Sequence, residues 1–122
     1  MMQSAKEKPL VYSCSGCSSA AQMANDLALK LDRQGVAEMS CIAGVGGHVK
    51  PLVVTATSGR RMIVLDGCVL ACAKACLQQH GVVPTVHFNL SKFGVKKVKN
   101  ETYCPQQSEE VYDQLLQQIN TL

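Results

Sequence analysis

Apolar positions along this chain fall into short contiguous runs, and between the runs they recur every three to four residues. Leu10-Val11-Tyr12, Val36-Ala37-Glu38-Met39 and Arg61-Met62-Ile63-Val64-Leu65 are short and apolar, the pattern of buried strands. Val82 to Leu90 predicts a fourth, with Val86, Phe88 and Leu90 on one face and Thr85, His87 and Asn89 on the other. Pro84 places it near an edge or at a strand start. After the first strand, Ala20, Ala24, Leu27, Ala28 and Leu31 stand at helical spacing up to about Arg33. Ser18 or Ser19 suits the N-cap of that helix, and Gly35 suits its stop. Lys50 to Ser58 is ambiguous: Leu52-Val53-Val54-Thr55 favours a strand by propensity, whereas Pro51 and Gly59 fit a helix start and stop. Helix is assigned, because two parallel strands need a crossover. Val69 to His80, stopped by Gly81, predicts another helix. Ser91 to Gln107 shows no clear period. Ser108 to Leu122 predicts an amphipathic helix burying Val111, Leu115, Leu116 and Ile119, with Glu109 and Glu110 in the first turn, where the dipole favours anions. Strand–helix alternation of this kind implies an α/β fold: a single three-layer domain with a mostly parallel sheet of four or five strands.

The bulk properties narrow the class. A chain of 122 residues with 47 % hydrophobic content is one globular domain, expected over residues 9–122 behind a disordered tail at 1–8. Aromatics are only 4 % and Trp is absent, so the core is built from aliphatic residues and Met. The polar segment through Pro9 has no apolar h-region, and no stretch approaches a membrane span, so neither export nor a membrane partner is expected. Lys92, Lys96, Lys97 and Lys99 cluster without interleaved aromatics, which reads as a solvated face, and no nucleic-acid partner is expected. Seven cysteines, an odd count without export, argue against a disulfide framework and for reduced cytoplasmic thiols that bind metal or exchange electrons.

The cysteines carry the chemistry. Cys14, Cys41 and Cys68 are each 27 residues apart, and each closes a predicted strand. One βα unit occupies roughly 25 to 30 residues, so parallel strands would bring all three to one sheet edge, where ligands of open α/β folds bind. Cys68, Cys72 and Cys76 stand at i, i+4 and i+8 and share one face if their helix begins at Cys68. Cys76 lies a turn deeper and reads as a small buried hydrophobe. Cys14, Cys41, Cys68 and Cys72 are therefore the candidate ligands of a tetrahedral zinc site, with Cys17, Cys76 and His48 in reserve. An iron–sulfur cluster is the alternative cofactor for the same four thiols. Helix N-termini at this edge would offer N–H groups and positive dipole ends to thiolates. Asp66, just before the Gly67-Cys68 turn, suits a carboxylate that accepts backbone N–H bonds and supports the site without ligating; Gly67 suits a close backbone approach. Gly44, Gly46 and Gly47 could cradle a phosphate, although the loop has neither the Walker lysine nor GxGxxG spacing. His48 reads as an exposed loop residue, a ligand or a proton shuttle; His80 as a helix C-terminal charge; His87 as a strand-edge residue.

Asp66-Gly67-Cys68 followed by Ala71-Cys72-Ala73-Lys74, the early Tyr12-Ser13-Cys14-Ser15-Gly16, Gln22, Asn25-Asp26 and the loop from Cys41 to Gly47 together resemble the DGC-domain family of proposed zinc-binding proteins. The resemblance spans about Leu10 to Gly81 and implies four chelating cysteines, mapping onto Cys14, Cys41, Cys68 and Cys72. Cys17, Cys76 and Cys104 are additional to that pattern and leave room for an altered ligand set or a second thiol function. The expected function is a small cytoplasmic zinc-binding protein that handles metal or regulates a protein or small-molecule partner. The alternative is an enzyme. One form is a thiol oxidoreductase using Cys14 and Cys17, which form a CxxC at a strand end. The other is an open zinc site of three cysteines and water with His48 or Asp66 as acid/base.

Overall fold

The computed structural model describes residues 7–122; the first six residues of the tail expected to be disordered lie outside the described residues. Four strands, β1 (Leu10–Ser13), β2 (Glu38–Met39), β3 (Met62–Asp66) and β4 (Val86–Asn89), form one sheet in the order β2-β1-β3-β4, every pair parallel. β1 and β3 are buried throughout, as continuous apolar runs between helical layers must be. β2 has only two paired residues, Glu38 and Met39, so Val36 and Ala37 lead into the strand instead of joining it.

Helix α1 (Ser19–Arg33) crosses from β1 to β2 and packs with α5 (Pro105–Ile119) on one face of the sheet, around Val11, Ile63, Leu65, Leu27 and Leu115. Helices α2 (Ile42–Gly46), α3 (Lys50–Ala56) and α4 (Cys72–Gln78) cover the other face, around Leu10, Tyr12, Val64, Val45 and Leu77. This is the expected three-layer α/β domain. Ser18 caps α1, its hydroxyl accepting from Ala21 N at 3.1 Å, and all five alanine and leucine positions of the predicted stripe are buried with Met23. Lys50–Ala56 is helical, with Pro51 in its first turn.

Four further local readings differ from the structure. The glycine-rich stretch after Cys41 is not a loop but the short α2: a β-carbon at Gly44 would collide with Leu52 of α3, and one at Gly46 would lie 3.0 Å from Cys76 Sγ of α4. Its glycines serve close helix packing, which local sequence does not reveal. α4 begins at Cys72 rather than Cys68, because Ala71 is left-handed at φ 52° and interrupts the helical run. Cys68 therefore leaves the helical face that Cys72 and Cys76 share. α5 starts at Pro105, three residues before Ser108, so Glu109 and Glu110 lie beyond its first turn. Its buried stripe is Val111, Tyr112, Leu115 and Ile119, with Leu116 partly buried.

The stretch without period, 91–107, is placed by partners far away in sequence. A 3-10 turn (Leu90–Phe93) follows β4, and Ser19 N donates to Val98 O at 2.8 Å while Val98 N donates to Ser19 Oγ at 3.1 Å. Tyr103 Oη donates to Asp26 Oδ2 at 2.6 Å, and that carboxylate, with burial, pushes the phenol up to about 12.

Candidate metal centre

The strand order fixes where a site forms. β1 and β3 are central neighbours, and the connections from them lead off in opposite directions, so a crevice opens beyond their C-terminal ends. Cys14 directly follows β1 and Cys68 lies two residues beyond β3. A cavity of about 170 Å³ sits there, walled by Cys14 and Cys17 from the β1–α1 loop and by Gly67, Cys68, Leu70 and Cys72 from the β3–α4 loop. A larger hollow of about 460 Å³ lies beside Arg60, Arg61 and His80, but no cysteine lines it. The thiols gather at the smaller one.

Backbone contacts hold both loops. Cys14 N donates to Leu65 O at 3.0 Å, and Gly67 N donates to Cys14 Sγ at 3.1 Å, so the sulfur already accepts a hydrogen bond. Burial pushes the Cys14 thiol up to about 11; the Gly67 N–H pulls it down, and nearby Asp66, Cys72 and Cys68 add to the rise. Gln22 Nε2 donates to Gly16 O at 2.6 Å, pinning the Cys14–Cys17 turn onto α1. Gly67 packs against the first turn of α1 so closely that a β-carbon there would lie 2.6 Å from Ala20 C and 2.8 Å from Ala21 N.

Asp66 is fully buried at the end of β3. Its Oδ1 accepts from Ala73 N at 2.8 Å and its Oδ2 from Lys74 N at 3.2 Å, both in the first turn of α4. His87 Nε2 donates to Oδ2 at 2.8 Å from the neighbouring strand β4. A carboxylate six residues before the helix thus does the work that no side chain at Ala71 can do. Asn89 Nδ2 donates to Cys68 O at 2.8 Å and holds the turn between β3 and α4.

The candidate residues separate accordingly. Cys14, Cys17, Cys68 and Cys72 line one cavity. Cys41 shares the same sheet edge but follows the outer strand β2; it is exposed at the N-terminus of α2 and is not among the cavity's lining residues. Cys76 lies one turn along α4, facing Gly46, with its thiol raised by burial. His48 meets His80 on the α2–α4 side, and Cys104 precedes α5. Lys97 lines the thiol cavity, delivered by the Ser19–Val98 contacts; the sequence shows this lysine only as one of a cluster. The donor chemistry suits a soft cation. Among the described residues, however, no three Cys, His, Asp or Glu side chains are grouped as a ready-made metal site.

The DGC-domain family model matches residues 10–115. This chain belongs to the DGC-domain family. The resemblance read from Asp66-Gly67-Cys68 and Ala71-Cys72-Ala73-Lys74 is borne out, and the match extends past Gly81 into α5. The chain is also similar to the anaerobic and virulence modulator AnvM of Pseudomonas aeruginosa, 58 % identical over 107 residues that span 88 % of this chain and 82 % of the relative. No solved structure matches it. Among the described residues no helix is long and apolar enough to cross a membrane.

Proposed function

We propose that this protein binds one zinc ion through thiolates at the crevice between β1 and β3, and that occupancy of the site regulates a partner in the cytoplasm. The observation that carries the reading is the convergence of Cys14, Cys17, Cys68 and Cys72 on one cavity. These four are the proposed ligands, with Cys41 as the alternative fourth donor in place of Cys17. Thiolate sulfur selects zinc or iron over magnesium and calcium. Four thiolates on a divalent cation leave a net charge of −2, which Lys97 and the Gly67 N–H are placed to offset. Asp66 would hold the α4 turn that presents Cys72. The regulatory half of the reading is supported by the similarity to a protein named as a modulator.

A thiol oxidoreductase using Cys14 and Cys17 ranks lower. A thiol raised to about 11 is a poor attacking nucleophile near neutral pH.

Metal analysis and the visible spectrum of anaerobically purified protein test the proposal. One zinc per chain and no colour are expected; a brown protein with iron would assign the thiols to a cluster instead, and a metal-free chain after zinc-replete growth would refute metal binding. Cys68→Ser and Cys72→Ser should each lower metal content and melting temperature. Loss of metal in Cys17→Ser with retention in Cys41→Ser selects Cys17 as the fourth ligand, and the reverse selects Cys41.

A further inference from the structure

The α2–α4 side carries a pair of imidazoles that the thiol cavity does not use. His80 sits in the turn after α4, and its Nε2 lies 2.9 Å from the carbonyl oxygen of Val45. A carbonyl only accepts, so Nε2 donates to it, and Nδ1 is the nitrogen left for a cation in the neutral ring. His48 follows α2, and its Nε2 lies 3.1 Å from Gln79 Oε1, an acceptor for this ring in its Nε2–H tautomer. The two ring centroids are 4.7 Å apart with the planes at 62°. Both ring N–H groups are therefore committed to oxygen acceptors, and neither Nδ1 has a donor from the described residues. His48 also keeps its side chain where the backbone is left-handed, at φ 62°, directly after Gly47.

We infer that His48 and His80 together form a second metal site, taking a divalent transition cation of the zinc, nickel or copper class through their Nδ1 atoms. The ring spacing suits this. With both Nδ1 atoms turned to one cation at about 2.1 Å, each ring centroid would lie about 3.2 Å from it, and centroids 4.7 Å apart would subtend an angle of about 95°. That angle falls between octahedral and tetrahedral values. Each imidazole donates its other ring nitrogen to an oxygen acceptor, the arrangement that fixes tautomer and orientation in metal-ligating histidines. His48 is exposed and His80 partly exposed, so water completes the coordination sphere. With no third protein donor grouped there among the described residues, the site is weaker than a four-thiolate centre and exchanges its metal readily. α4 runs from Cys72 to Gln78, about 9 Å at 1.5 Å per residue, and its length stands between the two sites. The inference does not rest on the thiolate reading.

The test is a zinc chloride titration of the reduced, nitrogen-15-labelled full chain, carried past saturation of any tighter class and followed by the imidazole nitrogen resonances. Nδ1 of His48 and of His80 should shift together along one binding curve, both Nε2 protons should be retained, and His87 should stay unchanged as the internal control. His80→Gln keeps an N–H for the Val45 carbonyl, and His48→Asn keeps a residue that tolerates the left-handed backbone. Each should weaken this class of binding at least tenfold and leave a tighter class untouched. A response from only one of the two rings, an equal response from His87, coordination through Nε2, or undiminished binding in His48→Asn overturns the site.

Discussion

Replacing Gly67 by Ala tests the packing on which the crevice depends. The added β-carbon would stand 2.6 Å from Ala20 C, 2.7 Å from Ala20 O and 2.8 Å from Ala21 N. All three are backbone atoms in the first turn of α1, so no side-chain rotation relieves them. Relief requires α1 and the β3–α4 turn to part by the better part of an ångström. α1 resists, because its Ser18 cap, its buried face and the Ser19–Val98 bonds fix it to the sheet. Overpacking costs about 1–3 kcal/mol where neighbours yield. Against unyielding backbone we expect about 3 kcal/mol, a large share of a domain stability of about 5–15 kcal/mol. The hydrogen bond from Gly67 N to Cys14 Sγ is lost in the same movement. In urea, with a slope of about 1–3 kcal/mol/M, the midpoint should fall by about 1–3 M. Gly16→Ala is the matched control, since its β-carbon would meet only Ala21 Cβ at 4.0 Å, and it should shift stability by less than about 0.5 kcal/mol. A Gly67→Ala midpoint within error of the Gly16→Ala midpoint would refute the reasoning.

Asp66→Ala strands one buried and one part-buried amide N–H group and His87, and at about 1.5–3 kcal/mol for a hydrogen bond to a charged group it should cost at least about 3 kcal/mol in denaturant melts. It should also weaken metal retention by roughly 10- to 100-fold, and a variant that holds metal like the parent would remove Asp66 from the site. For the metal-free protein, Cys14 titrates at about 11 when folded against an ordinary 9.0, so the folded state keeps its proton longer. That contribution is intact below about pH 9 and is lost as pH rises toward 11; melting temperature in chelator should decline over this window less steeply in Cys14→Ser than in the parent. Ser13→Ala removes a buried hydroxyl that has no hydrogen-bond partner among the described residues, so it should leave stability unchanged or raise it by about 1 kcal/mol, and a clear loss would reveal a partner.

Local signals were enough for most of the elements and for the family. β1 and β3 are readable because a strand buried on both faces must be apolar at every position, and α1 because its stripe and Ser18 cap lie within a few residues of one another. Crossover helices make the strands parallel, and parallel strands send Cys14, Cys41 and Cys68 to one edge; that inference needed no coordinates. The tertiary structure alone decided which thiols meet. Setting β1 beside β3 and pushing β2 to the outside is a choice made by burial summed over the whole sheet, and it brings Cys17 to the cavity while Cys41 stays at the rim. The start of α4 at Cys72 depends on Asp66 reaching it from β3, held in turn by His87 from β4, contacts invisible to a helical period. Lys97 and the His48–His80 pair are likewise assembled from segments that meet only after folding. Sequence periodicity reports interactions a turn or two away, whereas a site is made by side chains tens of residues apart, and only the packing of the layers sets their distances.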